Sequence, residues 1–180
     1  EEPILLQAHR RLRLTLPQAL LVLAPRHPQR FEEAAAAVRD AGLRCLRRSR
    51  TAADTPTDPE CEVLLLDSLG ELMEYYAAAD VAYVGGSLVG VGGHNLLEPA
   101  ALGLPVLSGP QQFNSPDVAR ILGESGALTT VQGAADLAAA LARLLGDPRQ
   151  RARQGARARA AVDANRGALA RLLGLVDQLL

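Results

Sequence analysis

The chain predicts an α/β fold, a Rossmann-like parallel sheet flanked by helices on both faces. Three observations carry that expectation. Short continuous apolar runs, such as residues 19–24, alternate with stretches of helical periodicity, as expected for strands buried on both faces. At 180 residues, 48% apolar and 22% charged, the chain suits one globular domain with a substantial core. A glycine-dense loop, GGSLVGVGGHN from Gly85 to Asn95, follows the fourth candidate strand, and open α/β sheets place their ligands at such strand ends.

Taken in order, residues 4–14 predict a first helix, stopped before Pro17 by that residue's fixed φ and missing N–H. The apolar run 19–24 lies between prolines and reads as a fully buried strand. Residues 31–41 read as a helix closed by Gly42, and residues 43–46 as a short strand. Residues 47–60 carry Ser, Thr, Asp and two prolines and read as a loop. Residues 62–66 form the third strand, 71–78 a helix and 81–84 the fourth strand. After the glycine loop come a helix to about residue 102, a strand at 105–107, a helix at 115–123 and a strand at 127–131. Two or three helices fill the rest. Residues 149–159 carry charge all round and read as a solvated surface helix, and residues 165–180 as a separate amphipathic helix.

Composition narrows the function. A formal net charge of −1 argues against a nucleic-acid partner. Every basic residue is Arg, which excludes a P-loop lysine and a Schiff-base lysine. Cys45 and Cys61 lack metal-motif spacing and read as buried thiols, and His9, His27 and His94 show no metal spacing either. No apolar run approaches the ~20 residues that span a bilayer, and no signal peptide is visible. The first residue is not Met, which suggests a piece of a longer protein.

The first strand is followed by Pro25-Arg-His-Pro-Gln-Arg30, without glycine, so a GxGxxG dinucleotide site is not expected. In a sheet of order 3-2-1-4-5-6, strands one and four are neighbours at the switch point. Arg26 and the glycine loop would then face one another across a crevice. Gly85 and Gly86 would let main-chain N–H groups approach phosphate oxygens, helped by the positive end of the following helix. Arg26 would grip a phosphate or carboxylate. Glu98, unsuited to phosphate, would accept from a ribose diol. Taken singly, each residue has a plainer reading: turn-forming glycines, a helix-dipole cap, a surface arginine, a structural His. The cluster Arg44, Arg47, Arg48 and Arg50 reads as a solvated edge, or less readily as a contact for an anionic surface.

Residues 79–89 (ADVAYVGGSLV) and 92–110 (GGHNLLEPAALGLPVLSGP), with PRHPQRF at 25–31, Phe113-Asn114 and Asn165-Arg-Gly-Ala168, resemble the 3-deoxy-D-manno-octulosonic acid (Kdo) transferases of lipopolysaccharide synthesis. The resemblance covers essentially the whole chain but only the C-terminal half of such an enzyme. It implies the GT-B fold, two Rossmann-like domains around a cleft, of which residues 1–180 would be the single nucleotide-sugar-binding domain. It further implies CMP-Kdo as donor, a lipid A precursor as acceptor, inversion at the anomeric centre, and no cofactor or metal clamp. The N-terminal GT-B domain would bring the carboxylate base, much of the acceptor site and the membrane anchor, at the cytoplasmic face of the bacterial inner membrane. No catalytic residue is then expected in this half, and alone it should be inactive.

Carried over by position, the resemblance assigns Glu98 to the nucleotide ribose, and Gly85, Gly86 and Ser87 to the phosphate turn. Gly92, Gly93, His94 and Asn95 fall in the signature, the last two orienting phosphate or sugar. Arg26 would meet the CMP phosphate or Kdo carboxylate, Leu69 and Gly70 the base through main-chain groups, and Asn114 belongs to the matching Phe-Asn pair. Departures fall at Gln111 and Ser115, where the family often has His and an aromatic residue, and at Gly90 and Val91, where Pro and a basic residue are common. Two other functions fit the same residues: the donor domain of a GT-B enzyme using a UDP-sugar, and a non-catalytic nucleotide-binding module.

Overall fold

The computed structural model describes residues 1–51, 58 and 60–166. The elements run α1 (Glu2–Arg13), β1 (Leu21–Leu23), α2 (Phe31–Asp40), β2 (Cys45–Arg47), β3 (Val63–Leu65), α3 (Leu72–Ala78), β4 (Ala82–Val84), α4 (Leu97–Ala101), β5 (Val106–Ser108), α5 (Pro116–Glu124), β6 (Leu128–Thr130), α6 (Ala134–Gly146) and α7 (Pro148–Asn165). Each strand candidate is present, at three residues. The family-matching segment 165–168 and the helix expected at 165–180 lie largely outside the described residues, as does the middle of the loop 47–60.

Every pairing is parallel, in two three-stranded sheets of order β1-β3-β2 and β4-β5-β6. The expected order 3-2-1-4-5-6 is thus wrong: β3, not β1, occupies the middle of the first sheet, and among the described residues no ladder joins β1 to β4. The physical reason is burial. All three residues of β3 are buried, as are those of β5 at the centre of the second sheet, whereas β2 is only half-buried and ends in Arg47. A strand carrying a charged residue belongs at an edge, and the continuous apolar run belongs inside.

Helix α1 unites the two halves. Leu6 packs with Leu23, Val38, Val63 and Leu65 from the first sheet and its helix. Ala8 packs with Leu107, Val131, Leu137 and Leu144 from the second, and Leu5 touches both clusters. One helix face therefore closes both sheets. Buried His9 joins them further by donating from Nε2 to the Glu62 carbonyl at 2.9 Å.

The helix expected at 149–159 as a solvated surface helix also buries one stripe. Asp147 caps α7, accepting from the N–H groups of Arg149 and Gln150 at 2.9 Å. The stripe Gln154, Gly155 and Ala158 is buried, and Gln154 Nε2 donates to the Ala127 carbonyl at 2.9 Å and Thr129 Oγ1 at 3.0 Å. Arg149, Arg153, Arg157 and Arg159 stay exposed, while Arg151 turns in to pair with Asp80 at 3.2 Å.

Candidate functional site

The loops that leave β1 and β4 at their carboxyl ends meet. Arg26 Nη1 donates to His94 Nδ1 at 2.9 Å. Because a guanidinium only donates, the ring nitrogen it meets is an acceptor, and the imidazole proton sits on Nε2. Burial first, and the Arg26 charge second, hold the His94 pKa below its ordinary value. Arg26 is exposed, and among the described residues no carboxylate lies within ion-pair distance of it. A neutral imidazole beside an exposed, carboxylate-free guanidinium suits an anion.

The carboxylate that opens α4 has a local partner. Asn95 Nδ2 donates to Glu98 Oε1 at 3.0 Å, while Asn95 Oδ1 accepts from the Leu97 N–H at 3.0 Å. Asn95 thus starts the helix and orients Glu98. Helix α4 has only five residues, so the dipole expected there is small. Tyr76 of α3 lies close by: burial, then the Glu98 charge, push its phenol up to about 12.

Several expected ligand residues also carry internal hydrogen bonds. Ser87 is fully buried; its Oγ donates to the Val84 carbonyl at 3.0 Å and accepts from the Gly109 N–H at 2.7 Å. Asn114 Nδ2 donates to the carbonyls of Val91 at 2.9 Å and Gly93 at 3.0 Å, latching the glycine loop. Gly92 and Gly93 lie beneath Phe113 and Gln112, and the Gly93 N–H is bonded to the Gly86 carbonyl at 2.8 Å. Gly90 and Val91 are exposed, and the Gln111 N–H bonds the Ser87 carbonyl at 3.0 Å.

The turn Gly85–Ser87, expected to approach phosphate, meets an acid of the chain itself. The carboxylate of Glu1 already accepts from the N–H groups of Gly86, Ser87 and Leu88. Nothing in the local sequence announces this contact, which joins residues 85 to 87 positions apart.

Leu69 and Gly70 stand after β3, where Leu69 is 73% exposed and Gly70 takes φ +90°. Among the described residues no side-chain hydrogen bond ties either to Arg26, His94 or Glu98. Their loop is pinned at both ends. Buried Asp67 accepts from Arg47 Nε at 2.6 Å and from Ser49 N at 2.8 Å and Oγ at 2.6 Å. Glu71 accepts from Arg48 Nη2 at 2.7 Å and from Ser68 Oγ. Arg44 pairs with Glu60 at 2.9 Å. Three of the four clustered arginines thus carry internal partners.

A shallow apolar hollow lined by Leu16, Pro17, Gln18, Ala19 and Leu145 lies before β1, at the opposite strand ends from Arg26. Its lining carries no charged group. Among the described residues no helix is long and apolar enough to cross a membrane.

The family model of glycosyl transferases group 1 matches residues 2–161. A 3-deoxy-D-manno-octulosonic acid transferase of Bordetella pertussis is 45% identical over 97% of this chain and 40% of its own length. One of Haemophilus influenzae is 41% identical over 100% of this chain and 42% of its own length. The chain thus spans about two fifths of these relatives. The crystal structure of the C-terminal CMP-Kdo binding domain of WaaA from Acinetobacter baumannii superposes with a TM-score of 0.82 at 30% identity, covering 89% of this chain and 82% of that one. The chain belongs to the glycosyl transferases group 1, with the parallel-sheet fold of the C-terminal domain of a GT-B enzyme.

Proposed function

We propose that this chain is the donor-binding half of a Kdo transferase, and that it holds CMP-Kdo at the edge where Arg26 meets His94. The observation that carries this reading is their 2.9 Å contact, which brings the two loops after β1 and β4 onto one anion-favouring surface. Likeness to the Kdo transferases and to the CMP-Kdo binding domain of WaaA supports it.

In this reading Arg26 and the Nε2–H side of His94 receive the phosphate or the Kdo carboxylate. The Glu98 oxygen not bonded to Asn95 accepts from the ribose, and the main chain at Leu69-Gly70 meets the cytosine. Transfer joins an acceptor hydroxyl oxygen of a lipid A precursor to the anomeric carbon of Kdo as the bond to the CMP oxygen breaks. The electron pair leaves on CMP, where Arg26 offsets the developing charge. The proton goes to a base on the N-terminal GT-B domain, so the chain alone binds without turning over. Inversion without a metal, and work at the cytoplasmic face of the inner membrane through the whole enzyme, complete the reading.

NMR titration tests it. CMP should perturb the amides of Arg26, Gly86 and residues 93–98 and spare α6 and α7. Glu98→Ala should weaken CMP by roughly 1–3 kcal/mol, the scale of hydrogen bonds to a charged group. Perturbation confined to other residues, or tighter binding of UMP than CMP, would sink the assignment.

A further inference from the structure

Three consecutive main-chain N–H groups, from Gly86, Ser87 and Leu88, converge on one point. The carboxylate of Glu1 fills it. Oε2 accepts from Gly86 N–H. Oε1 accepts from Leu88 N–H at 2.8 Å and from Ser87 N–H at 3.3 Å, and the Tyr83 phenol donates to Oε1 at 2.8 Å. The Glu1 side chain is only 10% exposed. Converging amides after a left-handed glycine form an anion nest, and Gly86 has φ +75°. Here the nest holds an anion belonging to the chain itself.

The nest adjoins the proposed donor edge. A Cβ on Gly86 would lie 3.1 Å from His94 Nε2 and Cε1, so the turn that wraps Glu1 abuts the ring that meets Arg26. The His94 N–H also bonds the Gly85 carbonyl at 3.0 Å. Two adjacent anion positions therefore exist, one filled by Glu1 and one facing Arg26 and His94. A donor linked through one phosphate needs one position. A diphosphate-linked donor brings a second phosphate to the neighbouring nest, where a fixed carboxylate repels it.

We infer that Glu1 is a specificity-determining residue: its carboxylate occupies the second-phosphate position and restricts the site to nucleoside-monophosphate donors. This inference rests on the reading of Arg26 and His94 as the phosphate site. Glu1 acts through what it excludes and through the turn it holds, and it takes no part in bond making.

The test is calorimetric titration of this chain with CMP and with CDP. The unmodified chain should bind CMP more tightly than CDP. Glu1→Gln, which removes the charge, and Glu1→Ala, which empties the nest, should shift the CDP-to-CMP affinity ratio toward CDP on the order of ten-fold, since like-charge exclusion sets such preferences. Formate added to Glu1→Ala should refill the nest and restore the preference for CMP, which a purely structural role would not produce. Amide shifts of Gly86 and Leu88 report directly whether the nest is filled, and thermal melts confirm that the variants are folded. Equal binding of CMP and CDP by the unmodified chain, or an unchanged ratio in both variants, overturns the inference. Arg26→Ala separates it from the reading beneath it. Loss of both nucleotides there with no ratio change at Glu1 sinks the specificity role alone, whereas indifference of CMP to Arg26 sinks the site.

Discussion

At the scale of single residues, the site turns on an unusual pairing of a guanidinium with an imidazole. Arg26 can donate to His94 only while the ring is neutral, and burial with the Arg26 charge favours that state of the ring. Without a ligand the exposed guanidinium holds the ring acceptor, and an arriving phosphate finds both groups already oriented. Arg26→Ala should therefore have two effects. CMP binding should weaken by about 2 kcal/mol, roughly thirty-fold, as expected on losing a charge-assisted hydrogen bond. The His94 titration midpoint, followed through its ring proton signals, should rise toward its ordinary value, because a repelling cation is gone while burial remains. A midpoint that stays put or falls would show that Arg26 does not set the state of the ring. These residues were legible from the sequence because each chemical type is scarce between a strand end and a helix. Glu1 and Tyr76 were not, since an acid just before a first helix and a tyrosine on a surface helix look like dozens of others until folding brings them to Gly86 and Glu98.

At the scale of elements, the β4–α4 loop is held by the segment after β5. Asn114 bonds two carbonyls of that loop, and the Asn114 N–H bonds the Gly92 carbonyl at 3.0 Å. Asn114→Ala removes the side-chain latch and should lower stability by about 1–2 kcal/mol, at roughly 1 kcal/mol per bond. It should also broaden the amide signals of residues 91–94. Sharp, unshifted signals would mean that the loop keeps its shape without the latch. Helix α7 offers a second test. A Cβ on Gly155 would overlap the Gly103 carbonyl at the end of α4, so Gly155→Ala should cost about 2 kcal/mol or more by forcing the helices apart. A melting temperature at or above that of the unmodified chain would contradict this close approach. Period and apolar content revealed these elements, since each sheet-centre strand is fully buried and led by aliphatics. Strand order was hidden, because it depends on which strand carries a charge to the edge. Arg47 of β2 shows this only once Asp67 and Glu32 are seen to pair with it. The buried stripe of α7 was masked by five arginines in eighteen residues.

At the scale of the whole molecule, α1 is the strap that joins both sheets, and its seal includes a histidine. His9 is 4% exposed and donates to the Glu62 carbonyl. Burial first, and Arg13 in part, hold its pKa below the ordinary 6.5, against the opposing pull of Glu62. His94 is shifted in the same direction at the site. In the unfolded chain both rings take up protons as pH falls through 6.5, whereas the folded chain resists. The unfolded state then binds more protons, so stability rises with pH across this window and is lost as pH falls from 6.5 toward the lowered folded values. The slope is at most about 1.4 kcal/mol per pH unit for His9, with less from the more solvent-accessible His94. A separate loss sets in only at more acid pH. There burial raises the Asp67 pKa, but the bonds from Ser49 and then Arg47 outweigh it and hold the carboxyl below its usual range. Denaturant unfolding measured from pH 7.5 to 5 should show the first decline. His9→Gln keeps a donor toward Glu62 without a titrating ring, and it should flatten most of that decline while leaving CMP binding at pH 7.5 unchanged. A variant that keeps the full slope would place the acid sensitivity elsewhere than the strap between the sheets.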